Sequence, residues 1–418
     1  MPVYDCLWFL ACRIADLGRN LLRYAARCMA RRSVTPLSTC DAVLDNGRRI
    51  ALYLADLTGG GAERMAINLA QGFAERDIEV DLVLASATGA YLNEIPDSVD
   101  VFDLATGSVM RSIPRLIRYL RRRRPDALVV TLRHSSIAVL LARRLAGVHT
   151  RVFVREASSL TPAPGGGARG RVLPFLIRHV YPWADGVIAV SDAVAEAVVR
   201  FTRVPADKVH TLYNPVVTSD LLDRSREAVD HPWFDAKSKP LILAAGRLHA
   251  AKDFAALIRA FAQVREKRDA RLVILGEGRQ RQELETLVAQ LDLTREVSLP
   301  GFVDNPFAYM ARASVFVLSS RWEGLPGVLI QAMACGCPVV STDCPGGSRE
   351  ILDDGRYGAL IPVGDDAALA DAICATLDSP LPPNTLQARA AAFSLDKVMP
   401  QYMELLFPSA SSRDAPTR

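Results

Sequence analysis

No apolar run in the 418-residue chain approaches the roughly 18 residues that a spanning helix requires, so no transmembrane segment is expected. Eight cysteines are too few for a disulfide scaffold in a chain this long, which predicts reduced thiols and a cytosolic location. Cys335 and Cys337 have no partner set for a tetrahedral metal site and, with Cys344, read as small core residues. No G-x-G-x-x-G fingerprint follows the first strand candidate, which argues against a nicotinamide dehydrogenase. No Asp-x-Asp pair stands on a suitable loop, so no metal and no other cofactor is expected. Beyond residue 49 the charges balance, and nothing marks a nucleic-acid binder.

The whole net charge of +4 sits in residues 1–49, which hold eight Arg, no Lys and four Asp. Residues 7–32 lack proline and read as an amphipathic helix. Arg19, Arg23, Arg27 and Arg31 form one stripe, with Leu10, Ile14, Leu17, Leu21 and Cys28 on another face and Trp8 and Phe9 near the start. Such a helix suits peripheral contact with an anionic membrane, or it packs on the protein. A secretory signal is not expected: arginines interrupt the short apolar stretch.

Apolar residues make up 50% of the chain and charged residues 23%, the usage of a globular protein, and the length suggests two large domains. Short β-branched runs alternate with helical patterns from Arg49 onward. The predicted strands are Ile50–Ala55, Val80–Ala85, Ala127–Leu132, Arg151–Val154, Gly186–Val190 and Val209–Leu212. A second set follows: Leu241–Ala245, Arg271–Leu275, Val297–Leu299, Ser314–Leu318, Pro338–Ser341 and Ala359–Ile361. Alternation of this kind implies α/β architecture with parallel sheets covered on both faces. The rhythm breaks over 217–240, a polar stretch that reads as a linker. The expected organisation is therefore an extension (1–48), a Rossmann-like domain (49–216), the linker, a second Rossmann-like domain (241–390) and a tail (408–418).

Ligands of doubly wound sheets sit beyond the carboxyl ends of the strands, so the loops there carry the chemistry. Thr58–Arg64 follows the first strand and opens a helix, and its glycines allow close backbone approach to an anion. Arg247 and Lys252 follow the first strand of the second domain, five residues apart, a spacing that suits a grip on a diphosphate. Gly276-Glu277-Gly278 is another strand-end glycine turn. Ser319–Met333 is the most informative stretch: Glu323 on the loop, Pro326 in the first turn of the next helix, free amides near Leu325, Gly327 and Val328 for a phosphate, and Gln331 on the helix for ribose hydroxyls.

The segments GGGAER, GRLHAAKDF, LGEG, LPGFVDN and EGLPGVLIQAMACGCPVVSTDCPGG, with the closing helix Phe393–Leu406, resemble the retaining glycosyltransferases of family 4 over about residues 50–407. The resemblance implies the GT-B fold, in which two Rossmann-like doubly wound domains face each other across a cleft and a C-terminal helix, here 391–407, crosses back to the first. It implies a nucleotide-sugar donor, most often UDP-linked, as co-substrate, and transfer with retention. Carried over by motif, Arg247 and Lys252 bind the diphosphate, Glu323 contacts the donor sugar, Gly278 and the Val303 backbone lie near the base, and Gly60 and Gly61 approach the donor. Two positions depart from the family. Gln331 stands where the second acid of a paired-glutamate motif is usual, which predicts weakened donor binding with the chemistry kept. The loop Val154–Ser158 lacks a histidine found in many relatives, leaving His134 and Glu156 as acceptor-side candidates.

The arginine-rich segment Arg111, Arg115, Arg118 and Arg121–Arg124, the loop 161–171 as an acceptor lid, and the extension together favour a glycan or glycolipid acceptor at the inner face of a membrane. A solvated helix end is the plainer reading of the arginines. Two other functions share the architecture: a nucleotide-sugar 2-epimerase and a non-catalytic nucleotide-sugar-binding protein. The full chain is expected to float with anionic liposomes in a density gradient and a chain lacking residues 1–48 to remain behind; equal, negligible flotation of both would refute a membrane role for the extension.

Overall fold

Strands buried on both faces read as continuous apolar runs, and those runs build two parallel sheets. The computed structural model describes residues 47–58, 60–158, 168–235 and 239–408. The predicted amphipathic helix 7–32, Gly59, most of the predicted lid and nearly all of the tail lie outside the described residues. The first sheet comprises β1 (Arg49–Leu54), β2 (Glu79–Leu84), β3 (Val99–Asp103), β4 (Ala127–Thr131), β5 (Arg151–Glu156), β6 (Gly186–Ala189) and β7 (Val209–Thr211), in the order 3-2-1-4-5-6-7. The second comprises β8 (Leu241–Ala245), β9 (Arg271–Leu275), β10 (Val297–Gly301), β11 (Val315–Leu318), β12 (Val339–Thr342) and β13 (Ala359–Ile361), in the order 10-9-8-11-12-13. All ladders are parallel. Chain order reverses between β1 and β4 and between β8 and β11, the two points where doubly wound sheets open a crevice.

Alternate residues of each strand enter opposite cores. On β1, Ala51 and Tyr53 join one cluster with Val83, Leu128 and Val130, while Ile50, Leu52 and Leu54 join another with Phe73, Met399 and Tyr402. The last two belong to helix Leu395–Leu406, so this terminal helix covers one face of the first sheet. The chain passes between the sheets twice, and the two passages pair: the amides of Val216 and Val217 both donate to the Phe393 carbonyl, at 2.9 and 3.1 Å.

Three sequence expectations change. The strand β3 has no counterpart among the predicted ones, because it is an edge strand whose middle is exposed and whose residues VDVFD mix acid with apolar side chains. The polar stretch 217–240 holds two short helices, Ser219–Arg224 and Pro232–Asp235, anchored by buried Leu221 and Phe234. The Asn305 side chain ties this stretch to the second lobe by donating to the Arg224 carbonyl at 2.8 Å. Pro326 caps helix Gly327–Ala334 from outside rather than entering its first turn.

The arginine-rich helix, Ile113–Arg123, uses three of its cations within the fold. Arg115 donates to the Ala105 carbonyl, and Arg121 to the carbonyls of Leu145 and Ala146. Arg123 grips the buried carboxylate of Asp81 through Nε at 3.2 Å and a terminal nitrogen at 2.9 Å. The Tyr119 hydroxyl donates to the same carboxylate at 2.6 Å, and Arg49 completes its shell. Burial and the adjacent Asp81 push the Tyr119 hydroxyl well above its usual pKa. Removing one member of a buried charged set strands the others. Asp81→Ala is therefore expected to destabilise the first lobe by about 3 kcal/mol, read as a lower transition in scanning calorimetry, whereas a surface control, Asp97→Ala, should melt like the parent.

Candidate active site

Two loops leave the carboxyl ends of adjacent strands at the reversal point of the second sheet, and four polar contacts fasten them. The Arg321 amide donates to the Ala251 carbonyl at 2.8 Å, and the Ser319 hydroxyl to the Lys252 carbonyl at 2.8 Å. Arg321 Nε meets Asp253 at 2.6 Å. Lys252 Nζ meets Glu323 Oε1, also at 2.6 Å. The buried Ser320 hydroxyl donates to that same oxygen at 2.6 Å, and Thr342 holds the Ser320 carbonyl. Behind the loop, the amides of Glu323 and Gly347 donate to the carbonyls of Pro345 and Gly324. Both charged side chains of the pair are largely buried, at 20% and 14% exposure, so their geometry is set before any ligand arrives.

Glycine at 278 has a packing reason: a Cβ there would lie 2.3 Å from the Leu248 carbonyl oxygen. Leu248 is fully buried and its amide donates to the Glu277 carbonyl, which locks the loop carrying Arg247 and Lys252 onto the turn after β9. Arg247 reaches across to the first lobe, where a guanidinium nitrogen lies 3.6 Å from the place a Cβ on Gly60 would occupy. Gly60 is extended and caps helix Gly61–Ala74, and the space around Gly61 is open. The structure thus brings Lys252, Glu323, Arg247 and Gly60 to one interlobe region. Gly327 faces the Val216 side chain at the crossing passage, and Leu325 is buried against Gly347. The first amides of helix Gly327–Ala334, including that of Val328, have no acceptor within the helix. Val303 and Gln331 are half-buried, on the loop after β10 and on helix Gly327–Ala334.

The first lobe contributes a buried carboxylate that the sequence alone leaves ambiguous. Glu156 ends β5, accepts from the Tyr181 hydroxyl at 3.0 Å and from Arg133 Nε at 3.3 Å, and is 3% exposed. Burial raises its pKa, opposed by Arg133 and Tyr181. A carboxylate so enclosed orients its partners; it has no open side from which to take a proton. His134 is exposed, in the first turn of helix Arg133–Ala146. Leu132, just before that helix, holds φ +75°, a strained value for a residue with a branched side chain.

The lobes touch beside the Lys252–Glu323 pair. A Cβ on Gly324 would sit 1.9 Å from the Ala157 carbonyl oxygen and 3.2 Å from Ser158 Cα, and the Ser191 hydroxyl donates to the Gly324 carbonyl at 3.3 Å. Glu350 of the second lobe accepts from the Ala193 amide at 3.1 Å, so it caps the first-lobe helix Asp192–Phe201 from across the interface. Burial raises the Glu350 pKa against that backbone support. Sequence patterns gave no sign of this cap, because its two halves lie 157 residues apart.

Two surface cavities of about 610 and 700 Å³ lie elsewhere. The larger is lined by residues such as Asp126, Gly147 and Arg151, at the amino ends of β4 and β5, the end where parallel sheets do not carry active sites. Cys337 and Cys344 are buried and Cys335 nearly so; burial pushes the Cys335 thiol up to about 12 and that of Cys344 to about 11, as suits core residues. Among the described residues no group of three or more His, Cys, Asp or Glu is placed to hold a metal ion. Likewise, no described helix is long and apolar enough to cross a membrane.

Comparison with known proteins agrees with this architecture. Residues 59–220 match the family described as Glycosyltransferase Family 4, and residues 239–379 match Glycosyl transferases group 1. The chain is 30% identical over 368 residues, 84% of its length and 97% of the relative's, to the N-acetylgalactosamine-N,N'-diacetylbacillosaminyl-diphospho-undecaprenol 4-alpha-N-acetylgalactosaminyltransferase of Campylobacter jejuni. It is 25% identical over 366 residues, 83% of its length and 96% of the relative's, to the lipopolysaccharide core biosynthesis glycosyltransferase LpsE of Rhizobium meliloti. Among solved structures, Anabaena HepE in complex with UDP superposes with a TM-score of 0.68 at 22% identity, over 86% of this chain and 99% of that one, and shares the GT-B fold. With both lobes matched and a relative covered almost end to end, the chain belongs to the group 1 glycosyltransferases and is an enzyme of that class.

Proposed function

We propose that this enzyme moves a hexosyl unit from a UDP-sugar to a glycan carried on a lipid or on another cell-envelope carrier, with retention at the anomeric carbon. The observation that carries the reading is the fastened pair of loops that sets Lys252 against Glu323 while Arg247 extends to Gly60. The donor is read as UDP-linked because HepE was solved with UDP, and the acceptor as lipid-linked because the Campylobacter relative acts on a diphospho-undecaprenol glycan.

Breaking the bond between anomeric carbon and phosphate builds positive charge on the sugar and negative charge on the leaving diphosphate. In this reading Arg247, Lys252 and the amides at Gly327 and Val328 offer preorganised positive charge to the leaving group, which lowers the barrier. In this reading those cations supply the charge, and the mechanism includes no metal. Glu323, already aligned by Lys252 and Ser320, accepts from hydroxyls of the donor sugar. The acceptor hydroxyl attacks the face the phosphate leaves, and the departing phosphate oxygen takes its proton. Gln331 offers a carbonyl oxygen to the ribose without a charge. An acceptor held in the bilayer calls for a catalyst at its inner surface, which suits a peripheral enzyme.

Incubation with a panel of UDP-sugars and lipid-linked acceptors should release UDP and yield an elongated glycan. Arg247→Ala and Lys252→Ala are each expected to lower turnover at least tenfold, about 1.4 kcal/mol of transition-state stabilisation. Parental rates in both variants would reject the diphosphate assignment. Gln331→Glu is expected to lower the donor KM several-fold with kcat little changed; an unchanged KM would remove position 331 from the donor site.

A further inference from the structure

The acceptor lobe has a cation of its own beside the reaction centre. Arg133 follows β4, at the reversal point of the first sheet. Its Nε is bound to Glu156, whose side chain is 4% exposed, while its own is 27% exposed. A terminal nitrogen lies 3.2 Å from the Ser158 hydroxyl and 3.5 Å from the Ser158 carbonyl. Ser158 and the preceding Ala157 carbonyl approach Gly324, the neighbour of Glu323. Arg133 thus holds the first-lobe segment that abuts the loop of Glu323, yet it belongs to the opposite lobe.

The setting is more elaborate than an ordinary surface ion pair requires. Glu156 is buried at a cost in desolvation, and the Tyr181 hydroxyl, itself fully buried, supports it from behind. A carboxylate fixed in this way fixes the guanidinium in turn, in one orientation, with 27% of the side chain exposed. A fixed guanidinium at a cleft suits recognition of phosphate.

We propose that Arg133 grips the diphosphate of a lipid-linked acceptor and that Glu156 is its positioning residue. The inference rests on the acceptor reading above. It gives the two lobes one anion each: the donor diphosphate to Arg247 and Lys252, the acceptor diphosphate to Arg133. Glu156 acts through Arg133 and touches no substrate.

The test compares two acceptors that bear the same sugar, one on geranylgeranyl diphosphate and one as a neutral alkyl glycoside. The readout is the ratio of their kcat/KM values, in which a general loss of rate cancels. The parent enzyme is expected to favour the diphosphate acceptor at least tenfold. Arg133→Ala should reduce that advantage below threefold, with Arg133→Lys between. Glu156→Gln, which keeps an oxygen acceptor without the charge, should reduce it by a smaller factor; a full advantage in that variant would overturn the positioning role. Should Arg133→Ala turn over too slowly, calorimetric binding of the diphosphate acceptor to the UDP-loaded protein gives the same answer, with at least tenfold weakening expected and equal affinity overturning the proposal. A preserved ratio in Arg133→Ala overturns it, as does a loss of UDP affinity with the ratio kept, which would assign the cation to the donor. Failure of the parent to use either acceptor with any UDP-sugar would instead bring down the acceptor reading on which the inference stands.

Discussion

The ion pair between Lys252 and Glu323 is the constraint on which the site depends. It joins loops from β8 and β11, neighbours in the second sheet but 71 residues apart in the chain between the two charges. A mostly buried pair is favourable only when its remaining hydrogen-bonding capacity is met. Ser320 meets part of it directly, Ser319 holds the Lys252 backbone, and Thr342 holds Ser320. The surrounding hydroxyls are thus as much a part of the arrangement as the charges, and they explain why the stretch before Glu323 is Ser-Ser rather than apolar.

Around that pair the two lobes meet through backbone and helix ends, beside a buried apolar cluster that holds residues of both, among them Val216, Leu325 and Leu329. Gly324 admits the Ala157 carbonyl, Ser191 reaches the Gly324 carbonyl, and Glu350 caps a helix of the other lobe. Polar contacts of this kind separate more readily than a continuous apolar core, since water can replace each of them. The paired passages at Val216–Val217 and Phe393 remain as the covalent and hydrogen-bonded axis of the molecule.

Much of the fold was legible because parallel strands leave a plain signature: a short apolar, often β-branched run. Twelve of the thirteen strands among the described residues coincide with such runs, and the exception, β3, is an edge strand with an exposed middle. Strand ends also marked Arg247, Lys252 and Glu323, since chemistry in these sheets gathers there. What the sequence hid is pairing at a distance. Nothing local joins Glu156 to Arg133 and Tyr181, or Glu350 to Ala193. The arginine run before β4 concealed its partners for the same reason: Asp81 and the carbonyls of Leu145 and Ala146 come from other elements.

Leu132 carries backbone strain in the first lobe. Its φ of +75° puts a bulky residue in a region that glycine tolerates far better, in the one junction that leads from β4 into Arg133. A sequence selected for thermal resilience alone would relax here. Replacing Leu132 to relieve that strain would loosen the junction that carries the neighbouring guanidinium, so backbone ease and a fixed Arg133 pull against each other at this single peptide.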